Sequence, residues 1–194
     1  IMSDEIYGQM LYDGREHVSL LTYPQLRDRL ILLDGWSKTY AMTGWRLGYS
    51  VWPKALVEHA TRLAINCHSC VNASAQFAGI AALTGPQEPV GKMVAAFAER
   101  RKVVIAELNA IPGFRCVEPG GAFYAFPNVA GTGFTSRQLE AKLLEEAGVA
   151  TLSGTSFGAE GEGFLRFSYA NSLENIRAAM DRIRACLAQT KAKA

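Results

Sequence analysis

Residues 37–49 read SKTYAMTGWRLGY, with Lys38 following Ser37 at one end and Arg46 following Thr43, Gly44 and Trp45 at the other. The four residues upstream of this region, 30–33, are apolar and predict a buried strand, so Lys38 falls on the loop that leaves it. Residues 47–52 predict another apolar strand, with Arg46 where it begins. Two cations thus flank one short loop between two core strands. That arrangement suits a small anionic ligand better than a solvated charge pair.

Composition narrows what the ligand is not. The chain has 194 residues, 49% hydrophobic and 20% charged, with a formal net charge of +2. These are ordinary values for a globular protein. They leave no strong electrostatic footprint for nucleic acid or an anionic membrane. No apolar run approaches the roughly 18 residues of a bilayer span. Neither nucleic acid nor a membrane is an expected partner. Of four cysteines, Cys67 and Cys70 form one C-x-x-C. A zinc site would need a second pair or well-spaced histidines, and His17 and His59 do not supply them. No metal site is expected. All four cysteines read as buried or half-buried reduced thiols of a cytoplasmic protein.

The first residues, Ile1-Met2-Ser3-Asp4-Glu5-Ile6-Tyr7, predict the tail of a strand entering a functional loop. Only three strands of parallel type are expected in the first half, a thin sheet for elements that need helices on both faces. The opening lacks the basic and apolar regions of a signal peptide. The chain is therefore expected to be the C-terminal portion of a longer protein. Residues 8–29 are polar and turn-rich and predict a surface connection, with His17 as a surface residue. Pro53 opens a helix with Leu56, Val57, Ala60 and Leu63 on one face. Residues 66–74 predict a polar loop, followed by a small-residue helix through residue 82.

Gly85-Pro86 predicts a boundary, giving domains over 1–86 and 87–194. A long amphipathic helix is expected over 89–110, with Glu99-Arg100-Arg101-Lys102 on its solvated face. Short strands follow near 114–117, 122–126 and 149–152. Thr135 and Gln138 have the form of a capping box. Residues 164–170, FLRFSYA, read as an apolar strand interrupted by Arg166. A charge within a buried strand is costly unless paired, so Arg166 asks for an anionic partner, either an internal carboxylate or a ligand. Asn171 is expected to cap the last helix, with a small basic tail over 189–194.

Four segments, SDEIY, SKTYAMTGWRLGY, GGAFYAFP and LRFSYANS, resemble in order and chemistry the class I/II aminotransferases, the fold-type I enzymes that use pyridoxal 5'-phosphate. The resemblance implies an α/β fold: the C-terminal part of a PLP-transferase, with a remnant of a mainly parallel large-domain sheet and a small α+β domain. By the same resemblance Lys38 holds the cofactor aldehyde as a Schiff base and then serves as the proton-moving base. Asp4 bonds the pyridine nitrogen, Tyr7 the phenolic oxygen, and Arg46 the phosphate with Ser37 nearby. Arg166 grips the substrate α-carboxylate, and Tyr124 belongs to the aromatic segment that closes over the bound amino acid. An opposite charge beside the ring nitrogen favours its protonated form, which makes the ring the better electron sink.

The implied activity is transfer of an amino group between an α-amino acid and a 2-oxo acid, in a cytoplasmic homodimer. A β-lyase or a cyclopropane-forming synthase would share Asp4, Lys38 and Arg46, and a non-catalytic fragment would keep them as relics. Two departures stand out. Some relatives carry a hydroxyl residue three before the lysine, where this chain has Gly35. The glycine-rich turn and asparagine that complete the family's cofactor site have no counterpart here.

Overall fold

The computed structural model describes residues 1–191, which group into two units, Ile1–Val94 and the part from Ala95 onward. In the first unit the strands β1 (Met2–Asp4), β2 (Ile31–Gly35) and β3 (Gly48–Val51) form one sheet in that order. β1 and β2 are parallel, with Asp4 opposite Leu33. β3 runs antiparallel to β2, Gly48 facing Gly35, which corrects the expectation of a third parallel strand. The connection over residues 36–47 holds a single 3-10 turn and no α-helix to carry a crossover, so the chain returns as a hairpin-like loop.

Residues 8–29 are more than a surface connection. They wind through two 3-10 turns, Leu20–Thr22 and Pro24–Arg29, and bury Met10 and Tyr12 beside Leu30 and Leu32 in the core. Alternation along the segment is broken by turns, so its buried positions carry no periodic signature. Helix α1 (Val57–His68) extends three residues into the stretch expected as loop, and α2 (Ala73–Thr84) follows it. No residue of α1 is buried, so Leu56, Val57 and Leu63 lie exposed rather than forming a core stripe. α2 packs close: the indole Nε1 of Trp36 donates to the Gly79 carbonyl at 3.0 Å. A Cβ on Gly79 would come within 2.5 Å of Leu47.

Helix α3 (Glu88–Asn109) carries the chain from one unit into the other. The second unit has a sheet of three strands in the order β4 (Tyr124–Ala125), β6 (Leu165–Ser168), β5 (Leu152–Ser153), all antiparallel. Helices α4 (Ser136–Ala147) and α5 (Leu173–Lys191) pack with it around Leu108, Leu139, Leu143, Leu165, Tyr169 and Ile183, each fully buried. Around residues 114–117 only Arg115 pairs, as an isolated bridge to Asn128. The basic tail expected over 189–194 falls partly on residues 192–194, outside the described residues. No described helix is long and apolar enough to cross a membrane.

Three local expectations resolve in detail. The capping box forms: Thr135 Oγ1 accepts from Gln138 N, and Gln138 Oε1 accepts from Thr135 N. The cap of α5 is Ser172, whose Oγ accepts from Asn175 N at 3.1 Å, while Asn171 sits one residue earlier and accepts from Ser172 N. Arg101 is not on a solvated face. Its side chain is 2% exposed and reaches the Pro119 carbonyl at 2.9 Å and Glu118 at 3.2 Å, the charge pairing that makes its burial tolerable. Cys116 and Cys186 are buried, and burial pushes the Cys116 thiol up to about 11. Cys67 and Cys70 are exposed, against expectation, because α1 buries nothing.

Thr135→Ala removes one half of the reciprocal cap at α4. It is expected to cost about 1 kcal/mol of stability, read as a lower urea midpoint with an unchanged slope.

Candidate functional site

β1 ends on Asp4, and the Glu5 amide continues its ladder by donating to the Leu33 carbonyl at 2.8 Å. The chain then turns: Ile6 N donates to Asp4 Oδ1 at 3.1 Å, Gly8 N to the Glu5 carbonyl and Met10 N to the Tyr7 carbonyl, both at 2.8 Å. This succession presents Asp4 and Tyr7 at the C-terminal end of a parallel pair, where ligands of open α/β sheets gather. β2 ends one residue before Trp36, and Ser37 and Lys38 lie on the tight turn that follows, where the Ala41 amide donates to the Lys38 carbonyl at 3.2 Å.

The structure brings the expected residues of this unit together. Asp4, Ser37 and Arg46 line one hollow of about 250 Å³, together with Ile6, Leu33 and the Gly35–Gly48 pair. The Lys38 ammonium lies 5.9 Å from the centroid of the Tyr7 ring, within reach of a cation–π attraction. Arg46 has φ 54°, a left-handed conformation uncommon for a non-glycine residue. That backbone closes the 3-10 turn Thr43–Trp45, and one guanidinium nitrogen donates to the Thr43 carbonyl at 2.7 Å. Arg46 is exposed, and this bond ties its guanidinium back to the turn at the rim of the hollow.

Gly35 also accounts for the missing hydroxyl. A Cβ there would meet Gly48 Cα and the Leu47 carbonyl oxygen at 2.9 Å, so no side chain fits at this position. Arg46 lines a second, wider hollow of about 1110 Å³ with His68, Cys70, Asn72 and Ser74. Of these, Cys70 entered the sequence reading as half of the C-x-x-C, and none of the four was expected at a ligand site. Asn72 does carry the short polar side chain of a helix cap, and its Oδ1 accepts from Ala75 N at 3.2 Å.

In the second unit Arg166 occupies the central strand, opposite Leu152. Its guanidinium carbon lies 4.6 Å from the Tyr124 ring centroid and 4.4 Å from that of Phe157. Among the described residues no carboxylate forms an ion pair with it. Two aromatic rings cover the cation while its N–H donors go without an internal anion. Phe157, which covers Arg166 from one side, is a residue that the sequence reading passed over. It sits in an irregular glycine-rich segment, Gly154–Phe157, whose pattern carries no strand or helix signal. Phe126 stacks on Phe164 at 5.1 Å and meets Phe157 edge-on at 6.3 Å, so it buttresses this cluster.

Comparison with known proteins adds to this geometry. A family model described as aminotransferase class I and II matches residues 1–183. An aspartate aminotransferase of Geobacillus stearothermophilus is 44% identical over 190 residues, covering 94% of this chain and 48% of that protein. An aspartate aminotransferase of Pyrococcus horikoshii is 41% identical over 189 residues, covering 96% of this chain and 48% of that protein. Among solved structures, an aromatic aminotransferase from Pyrococcus horikoshii superposes with a TM-score of 0.93 at 37% identity, over 98% of this chain and 51% of that one. The chain spans about half the length of the curated relatives it matches.

Gly35→Ser would force the β2 and β3 ends apart. It is expected to cost about 1–3 kcal/mol, as other overpacking substitutions do, measured by chemical denaturation against Ser37→Gly as the control that leaves the glycine pair intact.

Proposed function

The chain belongs to the class I and II aminotransferases, a pyridoxal-phosphate-dependent family, and from that premise we propose that it supplies the lysine-bearing side of an aminotransferase site. The enzyme would move an amino group between an α-amino acid and a 2-oxo acid. One observation carries the proposal: Asp4, Ser37 and Arg46 converge on one hollow, while Lys38, next to Ser37, lies against Tyr7.

The donor set fits the cofactor group by group. A guanidinium and a hydroxyl suit a phosphate, a carboxylate suits a pyridinium nitrogen, a phenol suits a ring oxygen and an amine suits an aldehyde. When bound, pyridoxal phosphate supplies an aldehyde for amino groups and a ring that draws electrons from the substrate α-carbon. Asp4 would keep a proton on the ring nitrogen by placing a negative charge beside it. Arg46 and Ser37 would hold the phosphate, and the Tyr7 hydroxyl would hold the phenolic oxygen. Lys38 would hold the cofactor through its amine and, once displaced by the substrate amino group, would take the proton from the substrate α-carbon. Arg166 receives the α-carboxylate through paired N–H···O bonds, with Tyr124 and Phe157 orienting its plane.

The proposal extends to a cytoplasmic homodimer. Phe77, Ile80 and Leu83 on α2 and Leu63 on α1 are 57–74% exposed, the kind of apolar surface that protein contacts cover.

In the full-length protein, Lys38→Ala is expected to abolish the visible absorbance that pyridoxal phosphate gives on binding. It should also lower transfer to a 2-oxo acid by about 10²–10⁴-fold. An unchanged spectrum and turnover would sink the assignment. Arg166→Lys keeps the charge but loses the fork, and it should raise KM for the amino acid at least about tenfold with the spectrum intact.

A further inference from the structure

Asp4 is followed by a second acid, Glu5, and the two carboxylates part company. Asp4 is exposed at the hollow, whereas the Glu5 side chain is 6% exposed and turned toward the loop over residues 8–20. Its Oε2 lies 2.7 Å from His17 Nε2, and its Oε1 accepts from Leu20 N at 3.0 Å and Ser3 Oγ at 3.2 Å. One buried carboxylate therefore ties the end of β1 to both the middle and the end of the following loop. His17 also lies against the turn directly. A Cβ on Gly8 would stand 3.0 Å from His17 Cδ2 and 3.2 Å from the Glu5 carbonyl oxygen, so the glycine makes room for the ring. Burial alone would raise the Glu5 pKa, but the bonds from His17, Ser19 and Leu20 outweigh it and leave it below the ordinary carboxylate value. The Glu5 carboxylate is thus held as an anion among its donors.

Between these anchors lie Asp4 and Tyr7. We propose that Glu5 and His17 are positioning residues for the cofactor: their contact latches the turn that aims Asp4 into the hollow and Tyr7 at Lys38, without touching the cofactor themselves. This rests on the roles assigned above to Asp4 and Tyr7. The reasoning is one of population. If the turn is held in its competent form only part of the time, apparent affinity falls by that fraction. Losing a hydrogen bond to a buried charge is enough to shift such a balance about tenfold or more.

The test uses His17→Ala and His17→Gln in the full-length protein, because the His17 side chain is 36% exposed and its loss leaves no core cavity. His17→Ala is expected to raise the dissociation constant for pyridoxal phosphate about tenfold. It should also speed amide exchange at Ile6, Gly8 and Met10 in the cofactor-free protein, and shift the pH at which the bound cofactor changes colour. His17→Gln, whose amide still donates to Glu5, should restore all three. A His17→Ala protein with wild-type cofactor affinity and colour transition overturns the latch, even if its melting temperature falls, for the pair would then be merely structural. A wild-type protein showing no Lys38-dependent absorbance overturns the functional reading beneath it. Accelerated exchange at the three amides without any change in cofactor affinity likewise overturns the positioning role.

Discussion

One close approach governs the first unit: Gly35 at the end of β2 faces Gly48 at the start of β3, with no room for a side chain between them. The pairing brings the two ends of the loop over residues 36–47 together, and with them the lysine and the arginine that the loop carries. A hollow lined by backbone on one side then forms beside the C-terminal end of β1, where Asp4 emerges. The sheet is small, three strands of at most five residues, yet its register settles where each charged group sits. Chemistry here is a matter of strand ends meeting, with the polar side chains delivered by the turns between them.

Much of this could be read from the chain. The apolar runs around residues 30–33 and 47–52 announced two strands, and the motif between them pointed to the candidate site; β3, expected as a core strand, is instead exposed along its whole length. The direction of β3 was harder, since alternation says that a segment is a strand but not which way it runs. Met10 and Tyr12 escaped because a wandering segment has no period to betray its buried positions. The thiols of Cys67 and Cys70 were misjudged for the opposite reason: α1 has the look of an amphipathic helix, but none of its residues is buried by the described part of the chain. Pattern reports what a segment could bury. It does not report what is there to bury it.

Two arginines of the second unit make the same point in charge. Arg101 sits in a charged run of α3 and resembles any solvated residue, yet it is interior and holds the Glu118–Pro119 turn ahead of β4. Arg166 sits in an apolar strand and resembles a residue needing an internal partner, yet aromatic rings cover it instead. The difference lies in three-dimensional company that no local pattern encodes. Arg101 is committed within the chain, one terminal nitrogen to the Pro119 carbonyl and the other to the Glu118 carboxylate, while its buried Nε finds no acceptor among the described residues. Arg166 keeps its donors available because π faces attract a cation without consuming N–H groups.

Helix α1 has a thermodynamic consequence of its own. It is 12 residues long, buries none of them, and has the exposed Glu58–Arg62 pair at 2.6 Å as its lateral support. Such a pair contributes only about 0.3–0.5 kcal/mol, and isolated helices of this length are marginal in water. Its terminating residue, Ser69, adopts φ 60°, which adds a small conformational penalty. Wherever no partner surface covers it, α1 is thus a local opening unit: it can fray and re-form while the glycine-paired sheet and the second unit's core stay closed.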